Sequence, residues 1–231
     1  MAEETDMIYL MAQISHEIRT PLNGIKGFGE LLLDESTGEL NETQKKYLTK
    51  MLDNTEKLSS IVERVMDWAK LETKQSELKM EEVNFNFLLW EVVDLLREKA
   101  LKKNIDLSLT AQKDLFIYGD PLRLREIVIN LADNALKYTP NGGKVEIKAE
   151  KSGEMLEVSV SDNGYGISDT QMKRLFQPFS RGQKRIGNEA SSGLGLWICK
   201  LLVEMHHGTI SCKSIEGGGS TFYVSLPVNE R

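Results

Sequence analysis

Cysteine is almost missing from this chain. Only Cys199 and Cys212 occur among 231 residues, with no CxxC pair, so neither a disulfide framework nor a thiolate zinc site is suggested and a reducing compartment fits. No apolar run reaches the roughly 18 to 20 residues needed to cross a bilayer, and the polar, acidic start holds no apolar signal core. A surplus of basic charge is missing as well. With 29 Lys and Arg against 35 Asp and Glu the formal net charge is -6, which argues against nonspecific nucleic-acid binding but says nothing of a local basic pocket for phosphates. No internal repeat or low-complexity tract is visible. What is present, 40% hydrophobic and 28% charged residues, is ordinary for a soluble globular chain of one or two domains.

The first third is helical in pattern. Ile8, Met11, Ile18, Leu22, Ile25 and Leu32 fall on alternating steps of three and four, with Ser15 and Gly29 in the same stripe, which predicts an amphipathic helix over Thr5 to Asp34. Ser36-Thr37-Gly38 supplies a stop, and Asn41 offers a cap for a second helix. In that helix Tyr47, Met51, Asn54, Leu58, Ile61, Val65 and Trp68 repeat in strict four-three steps, and Leu48, Leu52, Val62, Met66 and Ala69 widen the stripe. Two helices alone do not bury so much apolar surface. The pattern predicts a helical hairpin over residues 1–80 that forms a four-helix bundle as a homodimer. The alternative is a monomeric hairpin resting on the rest of the same chain.

Beyond residues 79–84 the heptad ends and strand and helix patterns interleave. Val83-Asn84-Phe85 reads as a strand entry and Phe87 to Lys103 as a helix, followed by strands at Ile105 to Leu109 and Leu115 to Tyr118. Asp120 to Tyr138 reads as a helix, Lys144 to Glu150 with Met155 to Ser161 as a hairpin, and Leu194 to His206 as a helix. Thr209 to Ser214 and Ser220 to Leu226 complete the sheet. Without a regular strand-helix-strand repeat, residues 81–231 are expected to form an α/β sandwich with helices on one face.

Five stretches carry chemistry. In Ser15-His16-Glu17-Ile18-Arg19-Thr20-Pro21-Leu22, His16 and Thr20 lie one above the other on the exposed flank of the first helix. Glu17 is near enough for its carboxylate to engage one ring nitrogen and raise the nucleophilicity of the other, while Pro21 loosens the helix one turn on. Asn130, Asn134 and Lys137 share a helix face, where amide oxygens suit a hard cation and the ammonium suits phosphate, although such residues are often only solvated. Asp162-Asn163-Gly164-Tyr165-Gly166 ends a strand; Asp accepts a hydrogen bond from an exocyclic amine, and the glycines permit close backbone approach. Gly193-Leu194-Gly195 opens a helix whose free amides can face phosphate, and Gly217-Gly218-Gly219-Ser220 precedes the last strand.

The first stretch resembles, at all eight positions, the phosphoacceptor box of the sensor histidine kinases of two-component signalling. The other four, in this order, resemble the N, G1, G2 and G3 boxes of the same family's ATP-binding domain, and Leu175-Phe176-Gln177-Pro178-Phe179 resembles its F box. The resemblance implies ATP-dependent autophosphorylation of His16, assisted by Glu17, and transfer of the phosphoryl group to an aspartate of a response-regulator receiver domain. It implies that Asn134 coordinates Mg2+ with Asn130 nearby, that Lys137 contacts phosphate, and that Tyr138 flanks the nucleotide. Asp162 then recognises adenine in a pocket shaped by Gly164 and Gly166, Gly193, Leu194 and Gly195 approach the phosphates, and Arg181 reaches the terminal phosphate. The Glu17-to-Thr20 spacing implies a phosphatase role for Thr20. One departure is Ser191-Ser192, where many members begin the G2 box with an extra glycine.

The segment 163–192, poor in apolar residues after Phe179, is expected to form a lid over the nucleotide, with residues 180–192 protected by ligand. The chain is expected to be cytoplasmic, either naturally or as the cytoplasmic portion of a membrane sensor whose sensing region is absent. Two rivals remain on sequence: a nucleotide-gated ATP hydrolase of the same superfamily, and a silent dimeric scaffold. Those hydrolases carry a general-base Glu four residues before the magnesium-binding Asn. Here that position is Asn130, which cannot take a proton from water.

Overall fold

The computed structural model describes residues 2–34, 38–72, 78–178, 180 and 193–229, and it divides the chain into two compact units, 1–76 and 77–231. The first unit is a hairpin of α1 (Ala2–Leu33) and α2 (Glu42–Glu72). Its turn ends in a reciprocal cap. Asn41 Oδ1 accepts from the Gln44 amide at 2.9 Å, and Gln44 Oε1 accepts from the Asn41 amide at 2.9 Å, satisfying two donors at the start of α2.

Packing within the hairpin selects one seam from each wide stripe. Among the described side chains of α1 the buried residues are Ser15, Leu22 and Gly29, at steps of seven. A β-carbon on Gly29 would sit 2.7 Å from Leu52 Cδ2, so the missing side chain lets the two helices approach. Thr55 and Val62 are the buried residues among the described side chains of α2, and Lys26 pairs with Glu56 across the seam at 2.8 Å. Of the strict four-three series of α2, Tyr47, Met51 and Leu58 are exposed, while Leu52 and Val62, read as widening the stripe, lie inward. Ile18, Ile25 and Leu32 are likewise 36%, 43% and 37% exposed, so each helix carries an apolar face its partner helix does not cover. Ile8, Met11, Val65, Met66, Trp68 and Ala69 lie outside the described side chains.

The second unit is an α/β sandwich with all long helices on one face. Its strands are β1 (Glu81–Asn84), β2 (Asp106–Ala111), β3 (Phe116–Gly119), β4 (Lys144–Ser152), β5 (Met155–Asp162), β6 (Thr209–Ile215) and β7 (Gly219–Pro227). The main sheet has order β2-β4-β5-β7-β6, parallel only between β2 and β4, and β1 pairs with β3 in a separate antiparallel ribbon. Its helices are α3 (Phe85–Lys102), α4 (Pro121–Tyr138), the single turn α5 (Asp169–Met172) and α6 (Gly195–Met205). Val145, Ile147, Leu156, Val158, Val160, Phe222 and Val224 point inward from the sheet, alternating with polar residues outside, as a one-sided sheet requires. They meet Leu89, Leu124, Leu131, Ala135, Ile198 and Leu202 from the helices.

Two boundaries differ from the sequence reading for a local reason. Asn84 is the cap of α3, its Oδ1 accepting from the Phe87 amide at 3.1 Å, so Phe85 opens the helix and the strand before it is Glu81–Asn84. Asp120 likewise caps α4 ahead of Pro121, accepting from the Leu122 and Arg123 amides at 3.0 and 3.1 Å. Its second oxygen takes the Lys79 amide at 2.9 Å. The Asp120 amide in turn donates to Nε2 of His206 at 3.1 Å, and His206 Nδ1 reaches the Leu202 carbonyl at 2.7 Å. A carbonyl only accepts and an amide only donates, so His206 is the neutral Nδ1–H tautomer and ties the end of α6 to the start of α4.

Burial lowers the His206 pKa from its ordinary value, against smaller opposing effects of the Leu202 carbonyl and Asp120. A base whose folded pKa is depressed contributes stability that is present above the unfolded value, near 6.5, and lost as pH falls toward the folded one. The unfolding midpoint of the whole chain is expected to drop between pH 7.5 and 5. His206→Gln is expected to be less stable at pH 7.5 and to show a smaller drop, which thermal denaturation at the two pH values measures.

Candidate functional site

The site is built where α4, α6 and the two glycine loops converge. Helix α4 buries Leu124, Ile127, Val128, Leu131, Ala132, Ala135 and Leu136, which turns the opposite face, with Asn130, Asn134 and Lys137, toward solvent at partial exposure. The start of α6 lies against this face. A β-carbon on Gly195 would come within 3.3 Å of Asn130 Oδ1, so the amide row and the opening of α6 share one edge of the unit. Gly193 has φ of +72°, a left-handed turn that glycine adopts without strain. Leu194 is fully buried; its side chain anchors the turn in the core, and only its main chain is left to face a ligand.

The loop after β5 closes on the end of α4. The Tyr165 amide donates to the Tyr138 carbonyl at 3.2 Å, and any β-carbon on Gly164 would be 2.3 Å from that oxygen. On its other side the loop meets the β6–β7 turn. A β-carbon on Gly166 would lie 2.0 Å from the Ile215 carbonyl, and one on Gly219 2.0 Å from the Asp162 carbonyl. Gly217 donates to the Tyr165 carbonyl at 2.8 Å. Ser214 binds both sides: its Oγ accepts from the Ile167 amide at 2.8 Å, donates to the Gly219 carbonyl at 2.8 Å, and lies 3.0 Å from Ser220 Oγ.

Asp162 stands at the mouth of this interlock, opposite Ser220 in the β5–β7 ladder. Burial raises its pKa above the ordinary carboxylate value, while the amides of Gly164, at 2.8 Å, and Ser220 stabilise the charged form and pull it back. The Cys212 thiol is pushed up to about 12 by burial and then by the Asp162 charge, so it remains neutral beside the carboxylate. Lys137 lies 5.6 Å from the centroid of the Tyr138 ring, a cation–π distance that places the ammonium and the aromatic ring together at the end of α4.

In the helical unit the residues of the first stretch sit as their spacing implies. Ser15 and Leu22 are buried; His16, Glu17, Arg19 and Thr20 are exposed. The hydroxyl of Thr20 donates to the His16 carbonyl one turn back at 3.1 Å, and α1 continues through Pro21. Of the lid expected over 163–192, residues 179 and 181–192 lie outside the described residues, and with them Phe179, Arg181, Ser191 and Ser192. Of the F box, Phe176 packs edge-on against Phe222 with centroids 6.5 Å apart.

The sequence reading passed over two supports of this site. Lys103 Nζ donates to the carbonyls of Leu136, Lys137 and Thr139 at 2.6, 3.1 and 2.9 Å, capping the helix end that carries Lys137 and Tyr138. Ser214 is the other. The one signal pointing to either is its type: a lysine just past a helix, a serine at a strand end.

A sheet with helices on one face, a half-buried carboxylate framed by glycine loops, and amides meeting an asparagine row define a nucleotide-binding class of domain. Comparison with known proteins narrows it. Residues 119–230 match the family described as histidine kinase-, DNA gyrase B-, and HSP90-like ATPase, and residues 6–74 match the His Kinase A (phospho-acceptor) domain. The chain belongs to the histidine kinases. It is 35% identical over 222 residues to the circadian input-output histidine kinase CikA of Synechococcus elongatus, covering 94% of this chain and 29% of that protein. Full-length ShkA in complex with AMPPNP superposes with a TM-score of 0.83 at 30% identity, covering 96% of this chain and 46% of that one. ThkA in complex with the response regulator protein TrrA gives 0.67 at 29% identity, covering 96% and 61%. The chain spans between 24% and 42% of the length of the curated relatives it matches.

An acid whose folded pKa is raised is most favourable to folding below its unfolded value, near 3.8, and that contribution is lost as pH rises through the folded pKa. Asp162→Asn keeps an oxygen for the Gly164 amide and removes the buried charge, so its melting temperature is expected to exceed that of the parent chain at pH 7. The advantage is expected to shrink as pH falls toward 3.8. Gly166→Ala is expected to unfold at lower temperature at every pH, because it combines φ of +66° with a clash against the Ile215 carbonyl.

Proposed function

We propose that the chain is the catalytic core of a sensor histidine kinase, which phosphorylates its own His16 from ATP and passes the phosphoryl group to an aspartate of a response-regulator receiver domain. The observation that carries this reading is an exposed imidazole within the complete eight-residue phosphoacceptor stretch, in one chain with a nucleotide-binding sandwich that has Asn130 where a hydrolase has its general base. Without a base to activate water, the site favours delivery of phosphate to a nucleophile.

On this reading Asp162 accepts from the adenine amine, Gly164 and Gly166 let the base approach, and Tyr138 flanks it. Main-chain amides of Gly193, Leu194 and Gly195 face the phosphates, with Lys137 and Arg181 supplying positive charge. Among the described residues no group of three or more His, Cys, Asp or Glu side chains forms a metal cage. The amide oxygens on α4 fit a hard cation such as magnesium, which Asn134 would hold with Asn130 beside it. Bound there, the ion would offset charge on the phosphates. Glu17 orients the neutral His16 ring, one nitrogen attacks the terminal phosphorus in line, and the bond to ADP breaks. Thr20 has spent its proton on the His16 carbonyl, so its lone pairs are available to position water against a phosphorylated receiver.

Residues 1–80 act as the dimerisation and phosphotransfer domain and 81–231 as the ATP-binding domain. The faces left open by the hairpin, Ile18, Ile25 and Leu32 on α1 with Tyr47, Met51 and Leu58 on α2, support a homodimeric four-helix bundle. No helix among the described residues is long and apolar enough to span a membrane; the core is proposed to work in the cytoplasm, alone or attached to a sensing region.

The test is incubation with ATP labelled at the terminal phosphate, plus magnesium. Label is expected on the chain in an acid-labile, base-stable form, lost in both His16→Gln and Asn134→Asp, and passed to a receiver domain. Thr20→Ala is expected to leave labelling intact and slow receiver dephosphorylation by roughly tenfold or more. Label that survives His16→Gln, or no label from a chain that binds ATP, overturns the reading.

A further inference from the structure

Counting protons around Ser214 settles the direction of a hydrogen bond that distance leaves open. A hydroxyl has one proton and two lone pairs. The Gly219 carbonyl only accepts, so it takes the Ser214 proton at 2.8 Å. The Ile167 amide fills one lone pair at 2.8 Å. The remaining contact, 3.0 Å to Ser220 Oγ, finds no proton on Ser214, and Ser220 is therefore the donor. Ser220 is buried and faces Asp162 across the β5–β7 ladder, and its amide donates to the Asp162 carboxylate. With its hydroxyl proton directed to Ser214, Ser220 Oγ has only lone pairs to offer whatever lies beside Asp162.

We propose that Ser214 is a positioning residue for base selection: by holding the Ser220 proton away from Asp162, it leaves an edge of acceptors alone, which takes a purine with a 6-amino group and rejects one with a 6-carbonyl. This deepens the ATP-binding reading and rests on it. A carbonyl at that position meets a carboxylate and an oxygen with no free proton, so its own lone pairs go unsatisfied. The same hydroxyl joins the Asp162 loop to the β6–β7 turn, so the group that sets the polarity of the edge also sets its shape. Replacing Ser214 by alanine frees the Ser220 proton to turn outward and donate to a carbonyl.

The experiment is calorimetric titration of the full chain with ATP and with inosine triphosphate, each with magnesium. The parent chain is expected to prefer ATP, and Ser214→Ala to lower the ATP-to-inosine-triphosphate affinity ratio by about tenfold, with Ser214→Thr restoring it. Equal weakening of both nucleotides in Ser214→Ala, with the ratio unchanged, overturns the proposal while leaving the ATP reading standing. A parent chain that binds neither nucleotide removes both. Should Ser214→Ala not fold, Ser220→Ala removes the lone pairs directly and is expected to lower the same ratio; an unchanged ratio there overturns the proposal equally.

Discussion

Main chain pressed on main chain, with no room for a β-carbon, is the constraint on which the nucleotide-binding unit depends. At Gly164 the loop after β5 lies on the carbonyl of Tyr138, at Gly166 on that of Ile215, and Gly219 lies on that of Asp162. These three approaches bring the end of α4, the end of β5 and the β6–β7 turn to one point. Only residues without side chains allow it, and the left-handed φ at Gly166 and Gly219 adds a second reason for glycine. Everything a ligand would meet on that edge is placed by this interlock.

The two units solve opposite problems. In the sandwich a carboxylate is drawn into partial burial, its charge disfavoured by lost solvation and supported by two amides; such an arrangement costs stability in the free protein and is available to reward a hydrogen-bond donor. In the hairpin the imidazole is kept on the surface while its neighbours Ser15 and Leu22 anchor the turn beneath it. On the proposed reading, a nucleophile that meets both a nucleotide and a separate receiver domain has to stay accessible. Apolar faces on α1 and α2 remain uncovered within the hairpin, Ile18 and Ile25 on one helix and Met51 and Leu58 on the other.

What the amino-acid order revealed was whatever depends on neighbours. The helices, the cap at Asn41, the one-sided sandwich and the glycine stretches are local patterns, and each is found in the structure. Long-range bonds were opaque. Nothing near Lys103 announces that its ammonium closes a helix 33 to 36 residues on, nor does Asp120 advertise His206, 86 residues away. Which seam of α2 faces α1 was not legible for a related reason. Two overlapping apolar series run along that helix, and which one faces α1 is decided by Gly29, whose absent side chain admits Leu52. The bounds of the short β1 were shifted and the single turn α5 was missed because four residues carry too little periodicity to read.

The central claim is a division of labour, in which one unit grips the nucleotide and the other presents the group to be phosphorylated. Calorimetric titration of magnesium and a non-hydrolysable ATP analogue into His16→Gln and Asp162→Asn tests it most directly. The account predicts that His16→Gln binds as tightly as the parent chain while Asp162→Asn loses about tenfold or more in affinity, since a charge-assisted hydrogen bond is gone. Weakened binding in His16→Gln, or full affinity in Asp162→Asn, would contradict it.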